Sequence, residues 1–246
     1  MTSLEVDGAR LEHHLARPPG SVRGRTRSGL VIAHGMPVGE GAARNASLTF
    51  PELADRVARD TGWLALSFSF RGAGRSPGSF SPRGWLCDLE AAVAALRAET
   101  PSVFLAGFGL GGALALRLAA SDPEVGGVAV LGAPADLEPV ASGATSLAAC
   151  AAASGYRGAA EPFDAEEWSA DLRALDPSGA AASVPPRPLL IVHGSIDAFV
   201  PVVDARVLSD AAEGDAELRV VAMAAHRLRH DPRSVALLLG WLQRHG

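Results

Sequence analysis

One short stretch constrains the fold of this chain more than any other. Residues 102–117 read Ser-Val-Phe-Leu-Ala-Gly-Phe-Gly-Leu-Gly-Gly-Ala-Leu-Ala-Leu-Arg, an apolar run followed by glycines and a segment rich in alanine and leucine. Such an apolar run with β-branched and aromatic residues favours a strand, and the small-residue segment after the glycines favours an amphipathic helix. We therefore predict a strand, a very sharp turn and a helix, with Gly109 at the tip of the turn, facing a cleft.

Length and composition predict a single α/β domain spanning residues 1–246. With 48% hydrophobic residues, the chain can bury one large core. The net charge of −5 offers no basic surface for nucleic acid or an anionic membrane, and no apolar segment is long enough to span a bilayer. Two cysteines are too few for a disulfide framework, and the first residues show no signal peptide, so we expect a cytoplasmic protein.

The basic residues exclude catalysis and phosphate binding by lysine, because all 22 of them are arginines. A chain without lysine has neither a Schiff-base lysine nor a P-loop lysine. His13 and His14 are adjacent in a predicted strand, so they face opposite sides and cannot converge on one metal ion. We expect no cofactor and no metal, and the sequence points to no particular partner protein.

Apolar periodicity predicts about eight strands, most of them followed by helices. At the start, residues 3–6 and 10–15 flank Asp7-Gly8 and are predicted to form a hairpin. The arginines at positions 23, 25 and 27 are predicted to lie on an exposed edge or turn. Thr49-Phe50-Pro51-Glu52 is predicted to form a capping box at the start of a helix that runs to Asp60.

Several predicted strands end in loops that carry glycine or polar residues. His34-Gly35-Met36 follows the strand at 30–33, and Gly35 allows a sharp turn that exposes a backbone N–H to the cleft. The loop Arg71-Gly72-Ala73-Gly74-Arg75-Ser76 lacks the lysine of a phosphate cradle, so we interpret it as a structural turn. Asp197 follows the strand at 189–192, and His226 lies just beyond the last predicted strand.

Residues 137–184 differ in character from the rest of the chain. They are rich in alanine, interrupted by glycine and proline, and show no strand alternation. We predict a short helical cap inserted over the cleft, within the single domain.

In this order, the motifs resemble those of the α/β-hydrolase family of serine esterases and acyl hydrolases, over essentially the whole chain. The resemblance implies a mostly parallel, doubly wound sheet of about eight strands flanked by helices. His34-Gly35-Met36 resembles the oxyanion loop of that family, and residues 71–76 resemble its RGxGxS turn. Residues 107–112, with Gly107, Gly109, Gly111 and Gly112, resemble the nucleophile elbow G-x-S-x-G. The chain departs from the family at the tip of that elbow, where Gly109 stands in place of the nucleophilic serine.

The resemblance implies roles for residues at the remaining positions. Asp197 accepts a hydrogen bond from one ring nitrogen of His226, which leaves the other nitrogen as a base directed at the elbow. The backbone N–H groups of Met36 and Leu110 supply an oxyanion hole. Because losing the serine lowers turnover about a million-fold in a dismantled triad, acyl-enzyme catalysis is not expected. The implied protein is hydrolytically impaired and uses its capped pocket to bind a small apolar or acyl-type ligand, or serves a regulatory role.

Three alternatives stay open. Asp197 and His226 could activate water or remove a substrate proton in a working hydrolase or lyase. Gly109 could be an introduced substitution in an ordinary esterase or thioesterase. Finally, Gly107, Gly109 and Gly112 spell G-x-G-x-x-G, and Asp136 ends the next strand, which is the fingerprint of a dinucleotide-binding protein. That last alternative leaves Asp197 and His226 without roles.

Overall fold

A central sheet organises the part of the chain that the computed structural model describes, residues 4–20, 28–159 and 163–246. Two short strands, β1 (Glu5–Val6) and β2 (Ala9–Arg10), form a separate hairpin. The central sheet contains β3 (His13–Ala16), β4 (Ser28–Ala33), β5 (Leu64–Phe68), β6 (Ser102–Phe108), β7 (Val125–Leu131), β8 (Leu189–Gly194) and β9 (Ala216–Val221). Their order is β3-β5-β4-β6-β7-β8-β9, and only β3 runs antiparallel to its neighbour.

The predicted fold class is confirmed, with seven strands in the sheet in place of about eight. Every residue of β4, β5 and β8 is buried. Strands of this kind are covered on both faces, as in doubly wound α/β proteins. Because β6 lies in the middle of the sheet, the turn that follows it opens at the centre of the edge formed by the strands' carboxyl ends.

The described part of the chain also contains nine α-helices. They are α1 (Phe50–Thr61), α2 (Pro82–Arg97), α3 (Leu110–Ser121), α4 (Glu138–Ala141), α5 (Ala144–Ala153), α6 (Ala165–Leu175), α7 (Pro177–Ala182), α8 (Val202–Ala211) and α9 (Pro232–His245). On one face, α1 and α9 pack around Trp63, Phe104 and Trp241. The other face carries α2, α3, α7 and α8. Among the described residues, no helix is both long and apolar enough to cross a membrane.

Two local predictions need correction. The strand predicted over residues 10–15 is divided, because β2 ends the hairpin at Arg10 and β3 leaves to pair with β5. The capping box at Thr49 is wrong, since the Thr49 side chain does not cap α1 and its Oγ1 accepts a hydrogen bond of 2.9 Å from Arg229 Nε. The arginines at positions 23, 25 and 27 lie outside the described residues, as does residue 3 of the predicted hairpin.

The segment predicted as a cap, residues 137–184, contains α4 to α7, with residues 160–162 outside the described part. Helix α7 packs beside the sheet against α3 and α8. The end of α5 contacts the loop after β4, where the hydroxyl of Ser154 accepts from the N–H of Gly39 at 3.1 Å and the hydroxyl of Tyr156 donates to the carbonyl of Pro37 at 3.3 Å. This part of the segment therefore holds the loop that carries Gly35 and Met36. That the segment closes over a ligand stays a prediction.

Candidate active site

The turn between β6 and α3 forms the centre of the site. The predicted strand, sharp turn and helix are present, and Gly109 occupies the tip with φ 53° and ψ −123°. This backbone conformation is open to glycine and strained for any residue with a Cβ atom. The Gly109 N–H donates to Leu131 O at 3.0 Å, which ties the turn to the end of the neighbouring strand β7.

The glycines around Gly109 allow three backbone segments to meet. A Cβ on Gly107 would overlap the carbonyl of Gly111, and a Cβ on Gly111 would overlap the carbonyl of His34. A Cβ on Gly35 would lie 2.7 Å from Phe108 O, closer than real Cβ atoms approach. These positions therefore require glycine for packing, and the packing brings the loop after β4 against the elbow.

The loops after β8 and β9 bring Asp197 and His226 together. They lie side by side because the Ser195 N–H donates to Val221 O at 3.0 Å and the Ile196 N–H donates to Ala224 O at 3.1 Å. His226 Nδ1 then donates to Asp197 Oδ2 at 2.8 Å. Since Nδ1 carries the hydrogen in this bond, the neutral ring presents Nε2 as a base.

Asp197 is positioned by its own loop. Its side chain is fully buried, and Oδ1 accepts hydrogen bonds from the N–H groups of Phe199 at 2.9 Å and Val200 at 3.0 Å. A buried carboxylate is costly unless it is hydrogen-bonded. Together with His226, these donors keep both carboxylate oxygens satisfied and fix the direction of Oδ2.

The imidazole of His226 faces Gly109. A Cβ built on Gly109 would lie 3.5 Å from His226 Nε2 and 3.9 Å from Gly35 Cα, which are ordinary contact distances. A hydroxyl on that Cβ would be within hydrogen-bond reach of Nε2. The structure thus brings Gly109, Asp197 and His226 together at the carboxyl ends of the strands, and the base points at a position without a side chain.

Gly132 is a site residue that the sequence analysis missed. It follows β7 with φ 64°, and a Cβ there would lie 3.4 Å from His226 Nδ1 and 3.6 Å from Asp197 Oδ2. Its backbone forms the wall against which the hydrogen bond between Asp197 and His226 rests. A glycine directly after the buried strand at 125–131 was the available sequence signal.

The amides of Met36 and Leu110 are the predicted oxyanion donors. Leu110 is the first residue of α3, so its N–H has no acceptor within the helix. In the described part of the chain, neither N–H donates to a protein acceptor. Both residues follow glycines that pack against each other at the elbow, Gly35 and Gly109. Their role as an oxyanion hole stays a prediction.

His34 is part of the framework of the site. Its buried ring accepts the Phe70 N–H at Nε2 (3.1 Å) and donates from Nδ1 to Gly35 O (2.6 Å), so it links the loops after β4 and β5. It also packs edge-to-face on Phe70 and Trp85, with ring centroids 4.8 and 5.4 Å away. Burial lowers the pKa of His34 to about 4.

His34 is expected to make stability depend on pH. Because its pKa is lower in the folded chain than in the unfolded chain, its contribution is complete above about pH 6.5 and is lost as the pH falls towards 4. Denaturant unfolding of the wild type and of His34→Gln, whose amide oxygen can accept the Phe70 N–H, measures this contribution. Between pH 7 and 4 the wild type should lose about 3 kcal/mol more than the variant. Parallel pH curves would contradict this assignment.

Comparison with known proteins shows which of them share this architecture. No protein-family model and no curated protein matches the chain. Among solved structures, Est1E from Butyrivibrio proteoclasticus with bound ferulic acid matches with a TM-score of 0.72 and 18% identity, covering 98% of this chain and 96% of that one. A mutant of the meta-cleavage product hydrolase CumD gives a TM-score of 0.70 at 17% identity and covers 98% and 97%. The chain has the α/β-hydrolase fold.

A lipase has the same architecture. The monoacylglycerol lipase of Paleococcus ferrophilus gives a TM-score of 0.68 at 20% identity, covering 96% of this chain and 99% of that one. At such identities the likeness establishes the α/β-hydrolase fold, and the activity has to be argued from the side chains of the site. In the described residues, no group of three or more His, Cys, Asp or Glu side chains is arranged to hold a metal ion.

The loop of residues 71–76 makes structural contacts in this α/β-hydrolase fold. Arg71 forms three hydrogen bonds of 2.7 to 3.0 Å with the carboxylate of Asp88, from its backbone N–H and its guanidinium. Trp85 donates from its indole to Arg71 O at 3.0 Å. Arg157 closes the loop from the other side by donating to the carbonyls of Gly74, Ala73 and Ser76. These contacts agree with the interpretation of this loop as a structural turn.

Two contacts near the elbow argue against a dinucleotide site. His226 stands over the turn where a pyrophosphate would approach the glycines. Asp136, the acidic residue of that alternative, accepts a hydrogen bond of 2.8 Å from the N–H of Glu138.

Proposed function

We propose that this protein binds a small apolar or acyl-type ligand non-covalently in the cleft of an α/β-hydrolase fold and forms no acyl-enzyme. One observation carries the proposal. The Cβ position of Gly109 lies 3.5 Å from Nε2 of His226. The base is therefore aligned with the tip of the turn, but glycine provides no oxygen there to attack an acyl group.

The other candidate nucleophiles are engaged elsewhere or disfavoured. The hydroxyl of Ser76 donates to Ser69 O at 2.5 Å, and the hydroxyl of Ser195 accepts from the N–H of Met223 at 2.8 Å. Burial raises the pKa of Cys87, which disfavours its reactive thiolate. Ser102 begins β6, at the end of that strand away from the turn. None of them is among the nearest neighbours of the Gly109 Cβ position, which are atoms of His226 and Gly35.

The surroundings of His226 support an apolar ligand with a carbonyl or carboxylate group. Ile196, Phe199 and Met223 are exposed on the two loops that carry the pair, and the Phe199 ring lies 5.4 Å from the His226 ring. At the elbow, the N–H groups of Met36 and Leu110, which follow Gly35 and Gly109, offer donors for an oxygen. We therefore propose an apolar body held by these side chains and an oxygen held at the elbow. The Est1E structure contains ferulic acid, an aromatic carboxylic acid that combines these features and serves as a probe.

The proposal is tested on the wild type and on His226→Ala. We expect no covalent labelling of the wild type by a fluorophosphonate, because no oxygen stands at the elbow. We also expect p-nitrophenyl acetate turnover at the same background rate in both proteins. Ferulic acid should bind the wild type in calorimetry and bind His226→Ala about 5-fold or more weakly, because one polar partner is lost. Labelling of any serine, or an absence of binding across a panel of aromatic and aliphatic acids, would contradict the proposal.

A second candidate function is favoured by the direction of the His226 base. Its Nε2 faces the position next to Gly109, and a fully buried Asp197 holds the ring, so the pair could remove a proton from water or from a bound substrate. Turnover that is lost in His226→Ala, without fluorophosphonate labelling of the wild type, would favour this function over ligand binding alone.

A further inference from the structure

We propose that His193 is a positioning residue for Asp197. His193 lies on β8, next to the start of the loop that carries the carboxylate, and the roles assigned to Asp197 and His226 do not involve it. The inference deepens the proposed function because it concerns the geometry of the same site. Its test, however, requires neither ligand nor turnover.

One carboxylate oxygen of Asp197 has two imidazole rings near it. His226 Nδ1 donates to Oδ2 at 2.8 Å. His193 Nε2 lies 3.5 Å from the same oxygen, and the side chains of His193 and Asp197 are both fully buried. His193 therefore belongs to the buried surroundings of the carboxylate.

The second contact of His193 closes the Asp197 loop. Its Nε2 lies 3.0 Å from Val200 O, and because a carbonyl can only accept, Nε2 carries the hydrogen. This bond joins the end of β8 to Val200, whose N–H donates to Asp197 Oδ1 together with that of Phe199. The imidazole thus fastens the loop in the conformation that directs both N–H groups at the carboxylate.

A space-filling role does not account for this histidine. Its Nδ1 is buried and has no hydrogen-bond partner among the residues that the structure describes. A buried acceptor without a partner destabilises the fold, and an apolar side chain of the same size would fill the space without that penalty. What an apolar side chain cannot provide is the Nε2–H that bonds Val200 O and faces Asp197.

The test compares His193→Phe, which fills the space without a donor, with His193→Gln, whose amide nitrogen can reach Val200 O. In the full-length ligand-free protein, hydrogen exchange of the Phe199 and Val200 amides reports the loop, and the Nδ1–H resonance of His226 reports its bond to Asp197. In His193→Phe we expect both amides to exchange at least about ten-fold faster and the resonance to be lost, while core amides stay protected. In His193→Gln, exchange should stay within about three-fold of the wild type.

Two results would overturn the proposal. One is an unchanged loop and resonance in His193→Phe. The other is an acceleration shared equally by all amides, which would indicate a role in global stability alone. If His193→Phe does not fold, His193→Asn decides, because its shorter side chain cannot reach Val200 O and should loosen the loop as the phenylalanine does. Since neither readout involves ligand, a failure here is distinct from a failure of the proposed binding function.

Discussion

Replacing Gly109 with serine is expected to create covalent reactivity in this protein. The new hydroxyl would lie within reach of His226 Nε2, because its Cβ sits 3.5 Å from that nitrogen. The ring is already oriented by its 2.8 Å bond to Asp197. We expect stoichiometric fluorophosphonate labelling of Gly109→Ser, and p-nitrophenyl acetate turnover at least about a thousand-fold above the wild type. Intact-mass spectrometry and a spectrophotometric assay measure these two results.

Two matched variants control this gain. Gly109→Ala adds the same Cβ and the same backbone strain, about 1–3 kcal/mol, without an oxygen, so it should be destabilised like the serine variant and remain unlabelled. Gly109→Ser combined with His226→Ala should lose most of the gained turnover, because the base is removed. A folded Gly109→Ser protein that stays unlabelled would mean that His226 is not aligned with the side chain at position 109. It would also weaken the proposal that His226 activates water.

Removal of the Asp88 charge is expected to cause a large loss of stability. Asp88 is completely buried and holds the Arg71 side chain, which is 20% exposed, as well as the Arg71 backbone N–H. Breaking a buried ion pair by removing one partner leaves a charge uncompensated. We expect Asp88→Asn to lower the free energy of unfolding by about 3 kcal/mol, measured by urea denaturation.

Asp7 supplies the control, because it contacts the same guanidinium. Its carboxylate lies 3.1 Å from Arg71 Nη2 but is 77% exposed. Exposed ion pairs contribute little, so Asp7→Asn should change the free energy of unfolding by at most about 1 kcal/mol. An equal loss of unfolding free energy in the two variants would show that burial does not determine how much each ion pair with Arg71 contributes to stability.

Most of the fold was predicted from patterns among residues that are close together in the sequence. The elbow was predictable because a buried strand, a glycine cluster and an alanine-rich helix follow one another in the chain. The capping box at Thr49 failed because a distant side chain, Arg229, takes the hydroxyl that the local pattern assigned to the helix. The predicted hairpin was divided because β3 gains a longer ladder by pairing with β5.

The features of the site likewise fall into those that the sequence predicts and those that only the structure shows. From the order of its motifs alone, the sequence determined the fold class, the turn with glycine at its tip, and the positions of Asp197 and His226 after strands. Only the tertiary structure decided that His226 Nε2 faces Gly109, that Gly132 lies against the bond between His226 and Asp197, and that His193 closes the loop of the acid. The physical reason is that strands, turns and glycine positions follow from interactions between near neighbours in the chain. Distances between side chains from different loops depend on how the whole sheet packs and on which backbone segments glycine allows to touch.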